Sequence, residues 1–167
     1  MARSMVDADP RLTHLSETGS PRMVDVGAKA VTARRAVASG RVLMRPATLT
    51  LALTGGGPKG PVLEVARLAG IGGAKRTADL IPLCHPLPVD GIEVCLQPEG
   101  DAALAIRATV TTTWRTGVEM EALTAVAVAA LTVIDMLKAV EKGLVITDLR
   151  LEEKSGGRSG SWRRDTP

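Results

Sequence analysis

The stretch Ile92-Glu93-Val94-Cys95-Leu96-Gln97, followed by Leu104-Ala105-Ile106-Arg107-Ala108-Thr109-Val110-Thr111, decides the fold. Ile92, Val94 and Leu96 alternate with polar or small residues, and so do Leu104, Ile106, Ala108 and Val110. A period of two is the mark of a strand with one face buried. Between the two runs stands Pro98-Glu99-Gly100-Asp101, which is turn chemistry, so the pair is predicted to be an antiparallel hairpin.

Working outward, Val31 to Met44 is rich in short and β-branched residues and reads as a strand closed by Pro46, with Gly40 marking a bulge or bend. Thr48 to Leu53 reads as a short helix. Gly55-Gly56-Gly57-Pro58 then forces a loop that exposes Lys59. Val62 to Ala69 and Ala74 to Ile81 have helical spacing, with a break expected at Gly70 to Gly73 and a stop at Pro82. Beyond the hairpin, Thr116 and Glu119 have capping-box spacing and open a long helix predicted to run to about Lys142 and end at Gly143. A last strand is expected to place Val145, Leu149 and Leu151 on one face. The order is βαββαβ, which predicts an α+β fold: a ferredoxin-like antiparallel sheet with its helices packed on one face.

The 167-residue chain fits one core. Hydrophobic residues make up 45% of it, yet Phe and Tyr are absent and only two Trp occur, so the core is expected to be aliphatic and rich in alanine. Residues 1–21 are polar and broken by Pro10, Gly19 and Pro21. They are expected to form a mobile segment before a single domain at 22–160 and a basic or polar tail at 161–167. A formal charge of +3 is too small a surplus to imply nucleic acid. Cys84 and Cys95 have no second pair, so neither a zinc ribbon nor a disulfide framework is on offer, and no metal site is expected. The N-terminus has no apolar signal-like stretch, and the apolar run Ala122 to Ile134 is short for a membrane span, so a soluble cytoplasmic protein is expected.

The long helix carries Glu119 and Glu121 at its start and Asp135 and Lys138 near its end. The plain reading gives Glu119 to the cap and dipole, and makes Asp135–Lys138 a surface i,i+3 pair worth ~0.2–0.5 kcal/mol. The sharper reading makes the pair a proton-exchanging site. Fourteen residues separate Glu121 from Asp135, about 21 Å along a helix, so one pocket using both needs neighbouring subunits. Lys59 and Lys154 lie in glycine-rich loops, which read either as flexible surface or as phosphate cradles. Neither fits the P-loop pattern. Lys75 and Arg76 read as a solvated face or a phosphate clamp. His85 reads as a structural donor more readily than a catalyst, and Cys84 as a small hydrophobe.

Five strings stand in order along the chain: Met23-Val24-Asp25-Val26, Ala74-Lys75-Arg76-Thr77, Leu80-Ile81-Pro82-Leu83-Cys84-His85-Pro86-Leu87, Thr116-Gly117-Val118-Glu119-Met120-Glu121-Ala122-Leu123-Thr124, and Glu153-Lys154-Ser155-Gly156-Gly157. Together they resemble the MoaC family, the cyclic pyranopterin monophosphate synthases of molybdenum-cofactor biosynthesis. The resemblance implies an enzyme that converts 3′,8-cyclo-7,8-dihydroguanosine triphosphate to a cyclic pyranopterin phosphate and releases pyrophosphate, with no redox cofactor. It further implies Asp135 as the catalytic acid or base, with Lys59 and Lys138 as its basic partners. Leu83, Cys84, His85, Met120 and Glu121 would contact substrate, and Asp25, Lys75, Glu119 and Lys154 would complete the pocket. A homohexamer, a trimer of dimers with sites between subunits, is implied as well. Pro61, Trp114 and Ile134 depart from the usual family pattern, which keeps a catalytically weak or silent relative as a competing reading. A ferredoxin-like RNA-binding module is the other, disfavoured because its base-stacking aromatics are missing.

Overall fold

The computed structural model describes residues 19–165. The segment 1–18, most of the expected N-terminal extension, lies outside the described residues. Five strands and four helices follow in the order β1 (Thr32–Leu43), α1 (Pro46–Leu53), α2 (Val62–Ala74), α3 (Thr77–Leu80), β2 (Gly91–Glu99), β3 (Ala103–Trp114), α4 (Glu119–Leu137), β4 (Val145–Ser155) and β5 (Trp162–Arg163). The strands form one antiparallel sheet ordered β2-β3-β1-β4-β5, in which β3 lies between β1 and β2. The expected hairpin is β2–β3, with Val94 opposite Ala108 and Leu96 opposite Ile106.

All the long helices lie on one face, as expected of the α+β class. The core between the layers is aliphatic: Ala36, Ala38 and Val42 from β1, Leu104, Ile106, Ala108 and Val110 from β3, and Ala122, Ala125, Val126, Ala129, Ala130, Val133 and Leu137 from α4. Alanines and glycines let the layers come close. A Cβ on Gly40 would stand 2.8 Å from Val126 Cγ1, so this glycine marks where α4 crosses β1. The 19-residue helix contains an 18-residue window of mean hydropathy 1.8, long and apolar enough to cross a membrane by length and composition. The shorter apolar run in the sequence understated this. Here 56% of that stretch is buried within the domain as its core helix.

Four local expectations are corrected. The helix predicted to break at Gly70 to Gly73 runs on to Ala74. These glycines are contacts rather than breakers: a Cβ on Gly70 would stand 2.9 Å from the Ala125 carbonyl oxygen, and one on Gly73 would stand 2.7 Å from Val128 Cγ2. No capping box forms, because α4 opens at Glu119 with Val118 as its uncapped N-cap. The Glu119 side chain folds over Gly117, where a Cβ would collide with it. At its other end α4 stops at Leu137, short of Gly143. There the Glu141 carboxylate accepts from the Arg45 backbone N–H at 3.0 Å and the Val140 carbonyl accepts from the Arg45 guanidinium at 3.1 Å, drawing the chain off the helix axis.

The last correction concerns β4. Its pairing with β1 shifts register between Val37 and Ala38 and again between Ser39 and Arg41, with the extra residues on β4 and Asp148 at φ 53°. A bulge resets which side chains face inward. Ile146 and Leu151 therefore pack on the core, while Val145 and Leu149 are exposed. The two-residue β5, which pairs Trp162 with Lys154 and Arg163 with Glu153, carried no signal strong enough to be read as a strand.

Candidate functional site

The central helix α4 carries charged groups at both ends, and the two ends are built differently. At its start, Thr116, Gly117, Glu119, Met120 and Glu121 form one wall of a cavity of about 250 Å³. Leu83, Cys84, His85 and Leu87 supply the second wall, and Val24, Val26 and Lys29 close it. The connector that carries Leu83 to His85 is rigid: the Cys84 N–H donates to the Ile81 carbonyl at 3.0 Å, the Thr112 hydroxyl donates to Pro88, and the Asp90 N–H donates to Thr111 at 2.9 Å. His85 Nε2 lies 2.6 Å from the Val24 carbonyl oxygen. A carbonyl only accepts, so Nε2 carries the proton and Nδ1 of a neutral ring keeps its lone pair.

Glu121 is the unusual group of this cavity. It is 4% exposed, and burial pushes its carboxyl up to about 7, with the Glu119 charge adding to the effect. It also lines a smaller adjoining cavity of about 130 Å³ with Lys75, Asp79 and His85. Burial likewise raises the Cys84 thiol above its ordinary range, helped by the Glu121 carboxylate, so Cys84 stays a thiol near neutral pH. A carboxyl that titrates near neutrality beside a histidine of fixed tautomer can accept or return a proton.

At the other end of α4, Asp135 joins two lysines. Its Oδ2 accepts from Lys59 Nζ at 2.6 Å and its Oδ1 from Lys138 Nζ at 2.7 Å. Lys59 comes from the glycine-rich loop after α1, whose ends are tied by a bridge between Gly57 and Gly60 and which Gly60 closes at φ 96°. Pro61 follows as the N-cap residue of α2. The hydrogen bonds from Lys138 and then Lys59 hold the Asp135 carboxyl down at about 2. Asp135 is therefore ionised throughout the neutral range, and with roughly half of its surface exposed the cluster is open to solvent.

The remaining expected site residues lie elsewhere. Lys154, on β4, donates to the Ser159 hydroxyl and lines a cavity of about 300 Å³ with Arg35, Glu153 and Trp162. Asp25 stays in its own turn, where Oδ1 accepts from the Gly27 N–H at 2.7 Å, although its neighbours Val24 and Val26 line the first cavity. One chain thus brings together Leu83, Cys84, His85, Glu119, Met120 and Glu121, with Lys75 adjacent. It separately brings together Lys59, Asp135 and Lys138, and unites neither group with Lys154. Sequence reasoning missed Lys29 as a cavity residue. Its signal was present, since Gly27-Ala28-Lys29 continues directly from Met23-Val24-Asp25-Val26. Ile134 packs on the core, and the Trp114 backbone carbonyl, not its indole, accepts from Arg34 at 3.3 Å.

A buried carboxyl near neutrality, a fixed imidazole and a lysine-clasped aspartate on one α+β scaffold define an enzyme acting on a small molecule. The chain belongs to the MoaC family, whose model matches residues 23–157. It is 62% identical over 160 residues to cyclic pyranopterin monophosphate synthase 3 of Mycobacterium tuberculosis strain H37Rv, covering 96% of this chain and 90% of that protein. It is 63% identical over 165 residues to the cyclic pyranopterin monophosphate synthase of Streptomyces griseus, covering 99% and 93%. To the protein of that name from Thermomicrobium roseum it is 63% identical over 155 residues, covering 92% and 93%.

Proposed function

We propose that this chain is a cyclic pyranopterin monophosphate synthase of molybdenum-cofactor biosynthesis. It takes 3′,8-cyclo-7,8-dihydroguanosine triphosphate, rebuilds its ring system as a pyranopterin, closes a cyclic phosphate and releases pyrophosphate. The observation that carries the reading is the pairing of the family membership with a helix that presents an acidic, ring-sized cavity at one end and Lys59–Asp135–Lys138 at the other.

The residues take their roles from their environments. The guanine-derived ring offers N–H donors, which suit the carboxylates of Glu119 and Glu121, while Leu83, Cys84 and Met120 supply apolar walls and His85 a directional partner. Lys75 borders the pocket through the adjoining cavity, and Asp25 and Lys154, which lie apart from it in one chain, would join it only where subunits meet. Ring rebuilding demands proton transfers at carbon and nitrogen, and the Lys59–Asp135–Lys138 cluster supplies them: Asp135 holds both ammonium groups until substrate draws one away, whereupon the other lysine and the carboxylate exchange protons with the ring. In the phosphate step a hydroxyl of the rearranged sugar attacks the α-phosphorus and gives its proton to a base. The bond from that phosphorus to the β-phosphate bridging oxygen breaks, and pyrophosphate leaves with the electron pair. The reaction is redox-neutral, so no redox cofactor enters it.

Since about 21 Å of helix separates Glu121 from Asp135, the working site joins the cavity of one subunit to the lysine cluster of another. A cytoplasmic homohexamer, a trimer of dimers, satisfies this. The RNA-binding alternative lacks a stacking platform, because neither Trp is central in the sheet and Phe and Tyr are absent. The direct test is incubation of purified protein with the cyclic guanosine triphosphate derivative, reading released pyrophosphate and the fluorescent oxidised pterin. Formation of both in equal amounts is expected. Failure to form either with intact, folded protein would refute the assignment and favour a silent relative.

A further inference from the structure

Glu141 follows Lys138 by three residues, and its side chain is only 10% exposed. Its backbone N–H donates to the Leu137 carbonyl at 3.0 Å, so the turn after α4 fixes where it stands. From there its carboxylate reaches the start of α1. It accepts from the buried Thr48 hydroxyl and from the Arg45 backbone N–H at 3.0 Å, and these bonds hold the carboxyl below its ordinary range. The Arg45 guanidinium returns the contact, donating to the Val140 carbonyl at 3.1 Å and lying 3.5 Å from the same carboxylate.

No group within α1 does this work. Its N-cap residue, Arg45, makes no side-chain cap, its first turn holds no acid, and its eight residues bury only Thr48, Leu49 and Ala52. A helix this short is marginal by itself. A carboxylate at its N-terminus satisfies free donors and complements the helix dipole, so Glu141 supplies from another element what α1 lacks. The far end of α1 leads directly into the loop that carries Lys59: the Gly56 N–H donates to the Leu51 carbonyl at 3.2 Å, and the Gly60 N–H donates to the Gly57 carbonyl at 3.0 Å. A Cβ on Gly57 would stand 4.0 Å from Leu137 Cδ2, so this loop rests beside the last residue of α4.

We infer that Glu141 is a positioning residue for the Lys59–Asp135–Lys138 cluster: it holds the element that carries Lys59 against the end of α4 that carries Asp135 and Lys138. It acts through the lysines rather than on substrate. The two segments are tied at two points, by Glu141 at the start of α1 and by the Lys59–Asp135 contact beyond its end. The second tie is exposed and must open when substrate draws a lysine away, so the first has to keep the loop in place meanwhile. A misplacement of about 1 Å can cost about 10²-fold in rate. That the cluster acts on substrate rests on the activity proposed above, whereas the way it is held does not.

The test is site-resolved acetylation of the folded full-length protein, with Lys59 labelling read by mass spectrometry against Lys75 as internal reference. Glu141→Ala should free Lys59 from Asp135 and raise its labelling about two- to fivefold, the scale of an exposed ion pair. Glu141→Gln keeps an acceptor for Thr48 and Arg45 and should restore most of the wild-type value. Thr48→Val, which removes one donor and keeps the side-chain shape, should give a smaller rise. In an Asp135→Asn background the effect of Glu141→Ala should vanish, because the contact it guards is already gone. Glu93→Gln, at an exposed position on β2, should change nothing. With substrate present, Glu141→Ala should lower kcat about 10- to 100-fold and leave KM within about twofold. The inference is overturned if Glu141→Ala and Thr48→Val proteins, folded by circular dichroism, both label Lys59 as wild type does, or if the rise persists undiminished in the Asp135→Asn background. Labelling uses no substrate and so separates the two claims. Glu141-dependent labelling in a protein that forms no pterin sinks the proposed activity and leaves the positioning standing, while pterin formation with labelling indifferent to Glu141 sinks the positioning alone.

Discussion

Lys59 and Asp135 meet side chain to side chain at 2.6 Å although 76 positions separate them in the sequence. The contact joins the glycine loop after α1 to the last turn of α4, and Lys138 occupies the other oxygen of the same carboxylate. Exposed ion pairs of this kind contribute about 0–1 kcal/mol to folding, so stability does not account for the arrangement. The proposed mechanism does: a carboxylate clasped by two ammonium groups would hold both in place and leave each able to be drawn off by an anionic substrate.

Asp135→Asn and Lys59→Ala should therefore lower kcat by about 10²–10⁴-fold while changing stability by no more than about 0.5 kcal/mol. Steady-state pterin formation and urea unfolding of the same samples check this. A variant with wild-type kcat would remove that residue from the mechanism.

Glu121 makes stability depend on pH in a defined direction. Its carboxyl is raised from an ordinary 4.5 to about 7, so between those values the folded chain binds more protons than the unfolded one. Stability must then fall as pH rises through that window and level off above it, by roughly 3 kcal/mol in all. Glu121→Gln, which does not titrate, should abolish this part of the slope. Urea midpoints at about pH 5 and about pH 8 should diverge for wild type and much less for the variant. Equal slopes would show that burial does not hold this carboxyl protonated.

Neighbouring glycines on α2 should respond to alanine in opposite ways. A Cβ on Gly72 meets nothing within 4 Å, whereas one on Gly73 would stand 2.7 Å from Val128 Cγ2. Gly72→Ala should stabilise by about 0.5–1 kcal/mol through helix propensity, and Gly73→Ala should destabilise by about 1–3 kcal/mol through overpacking against α4. Thermal melts of the two variants give the signs directly.

How far the sequence reveals this molecule follows from the range of the forces involved. The period-two runs of β2 and β3 are local and appear in the structure as read, whereas the turn expected from Pro98 to Asp101 starts later, because Pro98 and Glu99 still pair with Leu104 and Ala103 in the ladder. The continuity of α2 was hidden because Gly70 and Gly73 answer to α4, more than fifty positions away, rather than to their own helix. The phase of β4 was hidden because the bulges around Asp148 depend on pairing with β1. Among site residues, the closeness of Asp135 and Lys138 was legible from i,i+3 spacing. The raised carboxyl of Glu121 was not, because burial is a property of the assembled layers. The placement of Lys59 on Asp135 and of Lys29 in the cavity wall likewise needed the fold.

Gly157→Ala tests the glycine loop after β4. The residue sits at φ 70° against the Arg34 guanidinium, so a methyl group brings both backbone strain and a collision. A cost of about 1–3 kcal/mol is expected. Gly160→Ala, at φ 63° but with nothing within 4 Å, should show the backbone cost alone, and thermal melts of the two variants measure the difference.

The most direct test of the central claim, that the cavity of one subunit works with the lysine cluster of another, is subunit complementation. Asp135→Asn and Glu121→Gln chains, each inactive alone, are unfolded, mixed in equal amounts and refolded together. Random assembly should return about a quarter of wild-type activity, because that share of sites draws an intact cavity from one chain and an intact cluster from another. Mixed oligomers, verified by mass, that remain as inactive as either parent would contradict it.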